Sequence, residues 1–247
     1  MSSEELRALA QALMTRPAVR VVPGTSRDAV LAPLKGKKNV GIELGVAGGS
    51  FSMRIVESGK FDKVFGVDTY DDYYHHIDEY REAISRVGLM SNYSLLRMTF
   101  EEALSLFPDE FFDFIYVDGF AHTGQEGGQT LADWYPKLKV GGIMAGDDYH
   151  DDWPLVQWAV NDFASALGVG LSITEKTESH SYNRYPSWFI AKTQSATKDV
   201  YRPHPTLVEV AARKKAVIAH DRRRKVRRRQ LRQLKARLLG KKPSITT

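Results

Sequence analysis

The chain has 247 residues, 43% of them hydrophobic, which is enough for one α/β domain with a full core and an appendage. It contains no cysteine, so disulfides, thiol catalysis and cysteine-based zinc sites are excluded. The net charge of +5 is unevenly distributed: residues 201–247 hold 16 Lys or Arg and two acidic residues, a net charge of +14, whereas residues 1–200 hold 19 and 28, a net charge of −9. The basic character therefore belongs to the C-terminal segment.

Residues 1–34 are predicted to form a helical lead-in that carries no chemistry. A short amphipathic helix is expected over residues 2–14, followed by an irregular segment that Pro17, Pro23 and Pro33 interrupt. The segment lacks the basic start and apolar core of a secretory signal, and no apolar run in the chain approaches the length that spans a bilayer. We expect a cytoplasmic protein.

A glycine-rich turn follows the first strongly apolar run. Residues 39–51 pass from a strand through a loop with Gly45 and Gly49 into a helical pattern. Glycine lets the chain reverse sharply and lets a ligand approach the backbone. The spacing is neither Gly-x-Gly-x-x-Gly nor a phosphate loop, and Glu43 precedes it. An acid in that position suits a nucleotide-like cofactor with a cationic amino acid group.

This Glu-x-Gly-x-x-x-Gly pattern resembles the first motif of the class I S-adenosylmethionine-dependent methyltransferases. An ordinary strand-to-helix turn of another α/β protein is the alternative. The resemblance implies a set of cofactor-binding residues before, in and just after the loop: Glu43, Gly45, Gly49, Ser50 and Phe51.

The second strand, over residues 63–69, supports a nucleoside ligand. Asp68 ends it, about 20 residues beyond the glycine loop, where an acid can accept hydrogen bonds from both hydroxyls of a ribose. A solvated strand-end acid is the alternative for Asp68. After a helix and a third strand, the resemblance places Met98, Thr99 and Phe100 along the adenine of the cofactor.

Further strands alternate with helices through the rest of the body. Such alternation implies right-handed crossovers and parallel pairing. We predict an α/β, Rossmann-like methyltransferase fold over residues 35–198, with a seven-stranded, mostly parallel sheet and helices on both faces. The four later strands are expected at residues 111–118, 143–149, 170–178 and 187–192.

Three carboxylates stand at the ends of two of these strands: Asp118, Asp147 and Asp148. Gathering them at one sheet edge is unfavourable unless a positive group binds between them. Oxygen ligands without cysteine favour Mg²⁺ or a similar divalent cation, which can lower the pKa of a hydroxyl. The sequence therefore predicts a metal site. The alternative is that Asp147 and Asp148 cap the helix that follows their strand and Asp118 caps the loop that follows its own.

The segments around these acids resemble one group of methyltransferases more closely. Residues 115–122, 133–142, 145–149 and 156–160 are similar to the group that includes macrocin-type sugar O-methyltransferases and cephalosporin-hydroxylase-like proteins. The resemblance implies that Asp118, Asp147 and Asp148 bind the metal and that His122 is the catalytic base, with a structural loop histidine as the alternative for His122. Asp118 is also a candidate for cofactor binding and catalysis.

Two further positions extend the candidate site. His150 follows the last pair of acids and is the alternative base and a substrate contact, because the pKa of imidazole lies near working pH. The loop over residues 179–186 carries hydrogen-bonding side chains that suit a sugar or polyol, with a solvated hairpin loop as the alternative. Tyr182 and Arg184 are its candidate substrate-binding residues.

Residues 199–247 are predicted to form a basic helical extension. Three roles remain open: docking on the acidic body or forming a homo-oligomer, contact with anionic lipid at the inner membrane surface, and nucleic-acid binding. Few aromatic residues are interleaved with the arginines, which disfavours stacking on single strands. We favour docking or self-association.

These observations together predict a metal-assisted, S-adenosylmethionine-dependent O-methyltransferase. Its acceptor would be a hydroxyl of a sugar, a glycan or another small polyol-like molecule. The chain lacks the Asn/Asp-Pro-Pro-aromatic signature of many amino-methylating nucleic-acid enzymes. An RNA-directed methyltransferase anchored by the basic segment, and a non-catalytic cofactor-binding or scaffold protein, are the alternatives.

Overall fold

One mixed sheet with helices on both faces organises the chain. The computed structural model describes residues 1–24, 26–71, 77–119, 123–176, 184–195 and 200–238. The strands within these ranges are β1 Val19–Val22, β2 Asn39–Leu44, β3 Phe61–Asp68, β4 Tyr93–Arg97, β5 Phe112–Val117, β6 Leu138–Gly146, β7 Leu171–Thr174 and β8 Trp188–Ala191. The α-helices are α1 Ser3–Leu13, α2 Ser50–Glu57, α3 Ile77–Ala83, α4 Phe100–Leu104, α5 Gln129–Trp134, α6 Pro154–Ala166 and α7 Pro205–Leu238.

The strand order across the sheet is β1-β7-β8-β6-β5-β2-β3-β4. Every neighbouring pair is parallel except the two that involve β8, which runs antiparallel to β6 and β7. Parallel strands need crossover connections, and most of the helices lie in those connections. The predicted α/β, Rossmann-like architecture is confirmed.

The sheet has one strand more than the seven that we predicted. Val19–Val22 pairs in parallel with β7 at the sheet edge, inside the lead-in that we expected to be irregular. Val19 and Val21 are 46% and 56% exposed, so this strand has no buried face to reveal it as a strand. Pro17 and Pro23 flank it, and proline is tolerated at the ends of edge strands.

The central strands have apolar side chains on both faces because both faces are covered. On β5, Ile115 packs into the core on one face of the sheet, whereas Phe114 and Tyr116 pack into the core on the other. This alternation follows from the period of two along a strand. The cores fix the ends of β2, β3, β5 and β6 at the same edge, where the candidate site lies.

Helix α7 begins as part of the folded body and continues as an exposed helix. Leu207 is fully buried, Val210 and Ala211 are almost fully buried, and the ring of Tyr201, just before the helix, lies 5.1 Å from that of Phe163. The basic helix that we predicted is therefore anchored by its first turns. Over the residues described, none of the helices is both long enough and apolar enough to cross a membrane.

We expect the anchor of α7 to contribute to stability. Leu207→Ala should lower the free energy of unfolding by about 2–5 kcal/mol, because it leaves a cavity in the core. Leu231→Ala is the matched control: it is the same change in the same helix at a side chain that is 58% exposed, and it should cost less than about 0.5 kcal/mol. Urea denaturation measures both values, and equal losses would show that the first turns of α7 are not anchored.

Candidate active site

The glycine loop passes very close to the turn that follows β5. Gly45 has a φ of +101°, and a Cβ placed on it would lie 2.4 Å from both the Cα and the N of Gly119. The N–H of Gly119 donates to the carbonyl of Leu44 at 2.7 Å. Only glycine fits at position 45, because both the backbone conformation and the space exclude a side chain. The two turns form one continuous floor at the edge of the sheet.

Asp68 holds the glycine loop from the neighbouring strand. Its Oδ2 accepts hydrogen bonds from the N–H groups of Val46 and Ala47, both at 3.0 Å, and its Oδ1 accepts from the N–H of Tyr70 at 3.1 Å. An ionised carboxylate offers about four acceptor positions. One position therefore remains for a ligand, and the ribose contact of Asp68 stays a prediction.

A cleft of about 700 Å³ opens above this floor. Five of the predicted cofactor-binding residues line it: Gly45, Asp68, Thr99, Phe100 and Asp118. Its ionisable side chains are mostly acidic: Asp68, Glu101, Asp118, Glu126 and Asp133, with Lys215 as the basic member. An excess of carboxylates favours a ligand that carries positive charge.

The start of α4 forms one wall of the cleft. Thr99 caps this helix: its Oγ1 accepts from the N–H of Glu102 at 3.1 Å, and Glu102 accepts in return from the N–H of Thr99 at 2.8 Å. This capping box sets Phe100 against Gly119, where a Cβ would lie 2.3 Å from the Phe100 ring. Met98 lies outside the cleft and packs against the core. Glu101 lines the cleft and was missed by sequence reasoning.

Glu43 lies beneath the glycine loop and does not line the cleft. It is 1% exposed and accepts a hydrogen bond from Ser52 Oγ, which lies 2.9 Å from the hydroxyl of Tyr93. Burial raises the pKa of Glu43 to about 8, with the Ser52 hydrogen bond opposing the rise. The structure therefore gives Glu43 a supporting position between β2 and α2, and its contact with the cofactor stays a prediction.

The remaining residues predicted around the loop also support it from outside the cleft. Gly49 has a φ of +77° and packs against Ala83. Ser50 Oγ accepts a hydrogen bond from Arg86 at 2.5 Å, and the ring centroid of Phe51 lies 4.3 Å from that of Tyr116. Their roles as direct ligands of the cofactor stay predictions.

An arginine from the lead-in lies between two of the three strand-end acids. Arg27 Nη1 donates to Asp118 Oδ2 at 3.2 Å, and Nη2 donates to Asp147 Oδ2. The side chain of Arg27 is 11% exposed, and its guanidinium lies 5.6 Å from the ring centroid of Phe51. Ser187 Oγ donates to Asp147 Oδ1 at 2.8 Å. Burial raises the pKa of the Asp147 carboxyl, and the Arg27 guanidinium opposes this rise.

The predicted magnesium site on Asp118, Asp147 and Asp148 does not fit this arrangement. The Arg27 cation neutralises two of the acids and uses acceptor atoms that a metal would need. Within the described part of the chain, no three or more His, Asp or Glu side chains form a group that could hold a metal ion. Asp148 is buried and has a left-handed backbone, with a φ of +58°. Sequence reasoning missed Arg27 because nothing in its local pattern shows where the side chain ends.

The other catalytic and substrate candidates do not line the cleft or cannot be placed. His122 and Tyr182 lie outside the described residues. The rings of His150 and Tyr185 lie 5.0 Å apart, and the guanidinium of Arg184 lies 5.2 Å from the same tyrosine ring. The structure thus brings His150 and Arg184 together around Tyr185, and their catalytic and substrate roles stay predictions.

The basic helix α7 contributes a residue to the cleft. Lys215 lines the cleft, and its Nζ lies 2.9 Å from Glu126 Oε1. No local signal distinguishes Lys215 from the other basic residues of the segment. It is identified only by the packing of the first turns of α7 on the body.

The comparisons with known proteins agree with this geometry. Residues 42–149 match a family described as a methyltransferase domain. No curated protein is significantly similar to the sequence. The spermidine synthase of Thermotoga maritima superposes with a TM-score of 0.50 at 13% identity, over 68% of this chain and 58% of the synthase, so the match spans less than two thirds of that protein.

Two methyltransferase structures are also similar. An rRNA methylase from Streptococcus thermophilus has a TM-score of 0.48 at 16% identity, over 67% of this chain and 93% of its own. The N-methyltransferase NodS from Bradyrhizobium japonicum WM9 has a TM-score of 0.48 at 16% identity, over 69% and 97%. The domain match over residues 42–149 and the fold together support an S-adenosylmethionine-dependent methyltransferase.

The buried Glu43 predicts a specific pH dependence of stability. Because its pKa is raised from 4.5 to about 8 on folding, the folded protein binds an extra proton between these pH values. The contribution of protonated Glu43 to the free energy of unfolding is fully present below pH 4.5. It is lost as the pH rises to about 8, at up to about 1.4 kcal/mol per pH unit. Glu43→Gln should flatten the plot of unfolding free energy against pH in this window. An unchanged slope would show that Glu43 is already ionised in the fold.

Proposed function

We propose that this methyltransferase transfers the methyl group of S-adenosylmethionine to a hydroxyl of a sugar, a glycan or another polyol-like acceptor. The observation that carries the proposal is the acid-lined cleft of about 700 Å³ over the glycine floor. Its volume suits a cofactor and a small acceptor together, and its carboxylates suit a cationic cofactor. Gln129 and Thr130 add hydrogen-bonding side chains to its lining, which suits hydroxyl groups.

The chemistry requires alignment more than activation of the methyl donor. The acceptor oxygen attacks the methyl carbon, the carbon–sulfur bond breaks with its electron pair going to sulfur, and the hydroxyl loses its proton. Asp118 is the candidate proton acceptor, since it lines the cleft next to Gly119. A close approach of oxygen and methyl carbon in line with the sulfur supplies most of the rate.

Arg27 takes the place that we had predicted for a metal. Its guanidinium holds Asp118 and Asp147 in fixed positions and keeps two neighbouring carboxylates from repelling each other. In this proposal Arg27 is a positioning residue, because it acts on the cleft through Asp118. No step of the proposed reaction passes through a divalent cation.

The first test is cofactor binding at the wall formed by α4. Phe100→Ala should weaken the affinity for S-adenosylmethionine at least tenfold in calorimetry, because the ring lines the cleft. Met98→Ala is the matched control, two residues earlier and outside the cleft, and should change the affinity less than twofold. A larger effect of Met98→Ala would place the cofactor elsewhere.

A methyl-transfer screen over sugars, glycans and RNA then tests the acceptor. Turnover on RNA alone would contradict the proposal that the acceptor is a small hydroxyl-bearing molecule.

The second test concerns Arg27 and the metal. Wild-type turnover should survive EDTA, and a loss that Mg²⁺ restores would contradict this part of the proposal. Arg27→Ala should lower turnover at least tenfold and the free energy of unfolding by about 3–5 kcal/mol. The substitution leaves the buried carboxylate of Asp147 and the partly buried carboxylate of Asp118 without their cation. Arg27→Lys keeps the charge and should recover most of the stability. Arg54→Ala, which breaks an exposed pair with Asp28, should cost less than about 1 kcal/mol.

A further inference from the structure

A second groove runs along one face of helix α7, opposite Gln125, with a volume of about 620 Å³. Its other lining residues all belong to that helix: Lys215, Ile218, Ala219, Arg223, Val226 and Arg227. Residues three and four positions apart lie on the same face of a helix, so these six form one continuous stripe. The stripe combines three cations with three apolar side chains.

Lys215 connects this groove with the cofactor cleft, because it lines both. Arg223 lies eight residues further along the helix, which corresponds to about 12 Å. A small molecule that reaches from one site to the other therefore needs only a modest length. The groove is a natural extension of the cleft for the part of an acceptor that does not react.

The two arginines of the groove carry uncompensated charge. Arg223 and Arg227 are exposed and one helical turn apart, and within the residues described neither forms an ion pair. In contrast, Lys215 pairs with Glu126 at 2.9 Å and Arg213 pairs with Glu209 at 2.5 Å. Like charges at this spacing weaken a helix by a few tenths of a kcal/mol, so the pair does not help the helix to form. Two guanidinium groups side by side present planar sets of donors that match phosphate oxygens.

We propose that this groove binds a phosphate or diphosphate group of the methyl acceptor. The volume favours a small molecule, since ligand pockets of this size hold ligands of nucleotide scale. The acids of the cleft hold the cationic cofactor, and the arginines of α7 hold the anionic end of the acceptor. This inference rests on the proposed function, because it names the class of acceptor: a hydroxyl-bearing molecule that carries phosphate.

The experiment measures binding of inorganic pyrophosphate to the full chain by calorimetry at fixed ionic strength. Arg223→Gln with Arg227→Gln should weaken binding at least tenfold. The control, Arg224→Gln with Arg228→Gln, removes the same charge from exposed positions of the same helix that do not line the groove, and binding should change less than twofold. Circular dichroism checks that both variants remain helical.

Three results would overturn the proposal. They are no binding of pyrophosphate to the wild type, equal weakening in both double variants, and a preference for an oligonucleotide that depends on all four arginines. Binding of S-adenosylmethionine to the same samples separates this inference from the proposed function. If pyrophosphate binds as expected and S-adenosylmethionine does not, the groove stands as a phosphate site and the proposed function fails. The reverse result rejects only the groove.

Discussion

The pairing of Arg27 with Asp118 and Asp147 is the interaction on which the site depends. It joins four parts of the chain, because Arg27 comes from the lead-in, Asp118 and Asp147 from the ends of β5 and β6, and Ser187, from just before β8, donates to Asp147. Two carboxylates held close together in a partly dry edge repel each other, and the guanidinium removes that repulsion while it fixes their direction. The lead-in, which carries the edge strand β1, therefore contributes a side chain to the candidate site.

The floor of the cleft rests on backbone contacts more than on side chains. Asp68 accepts hydrogen bonds from N–H groups of the glycine loop. A side chain at Gly45 would clash with the backbone of Gly119, and one at Gly119 would clash with the ring of Phe100. A floor made of backbone lets a flat ligand lie directly on the edge of the sheet. The side chains that line the cleft, including Phe100, come from elements that follow the neighbouring strands.

Local patterns in the sequence allow the fold and part of the site to be predicted. The rest of the site depends on contacts between residues that are far apart in the sequence. The apolar run over residues 111–118 indicates a buried strand by itself, and Gly45 and Asp68 are recognisable because the turn and the strand end dictate their residue types. Arg27 and Lys215 have no such signal, since their roles depend on where the lead-in and α7 pack. The acids were located correctly at the sheet edge, but a cation of the chain, and not a metal, lies between two of them. The exposed strand β1 was not predicted, because it lacks a buried face.

The carboxylates around the cleft affect cofactor binding and methyl transfer differently. The sulfonium is positive before the methyl transfer and neutral afterwards, so carboxylates close to it would stabilise the bound cofactor more than the transition state and slow the reaction. The structure limits this effect in two ways. Glu43, directly beneath the glycine loop, has a pKa raised to about 8 and so is largely protonated at neutral pH, and Asp118 is paired with Arg27. Glu101 and Asp133, which also line the cleft, stand on the helices that wall it, where carboxylates would attract a cationic cofactor.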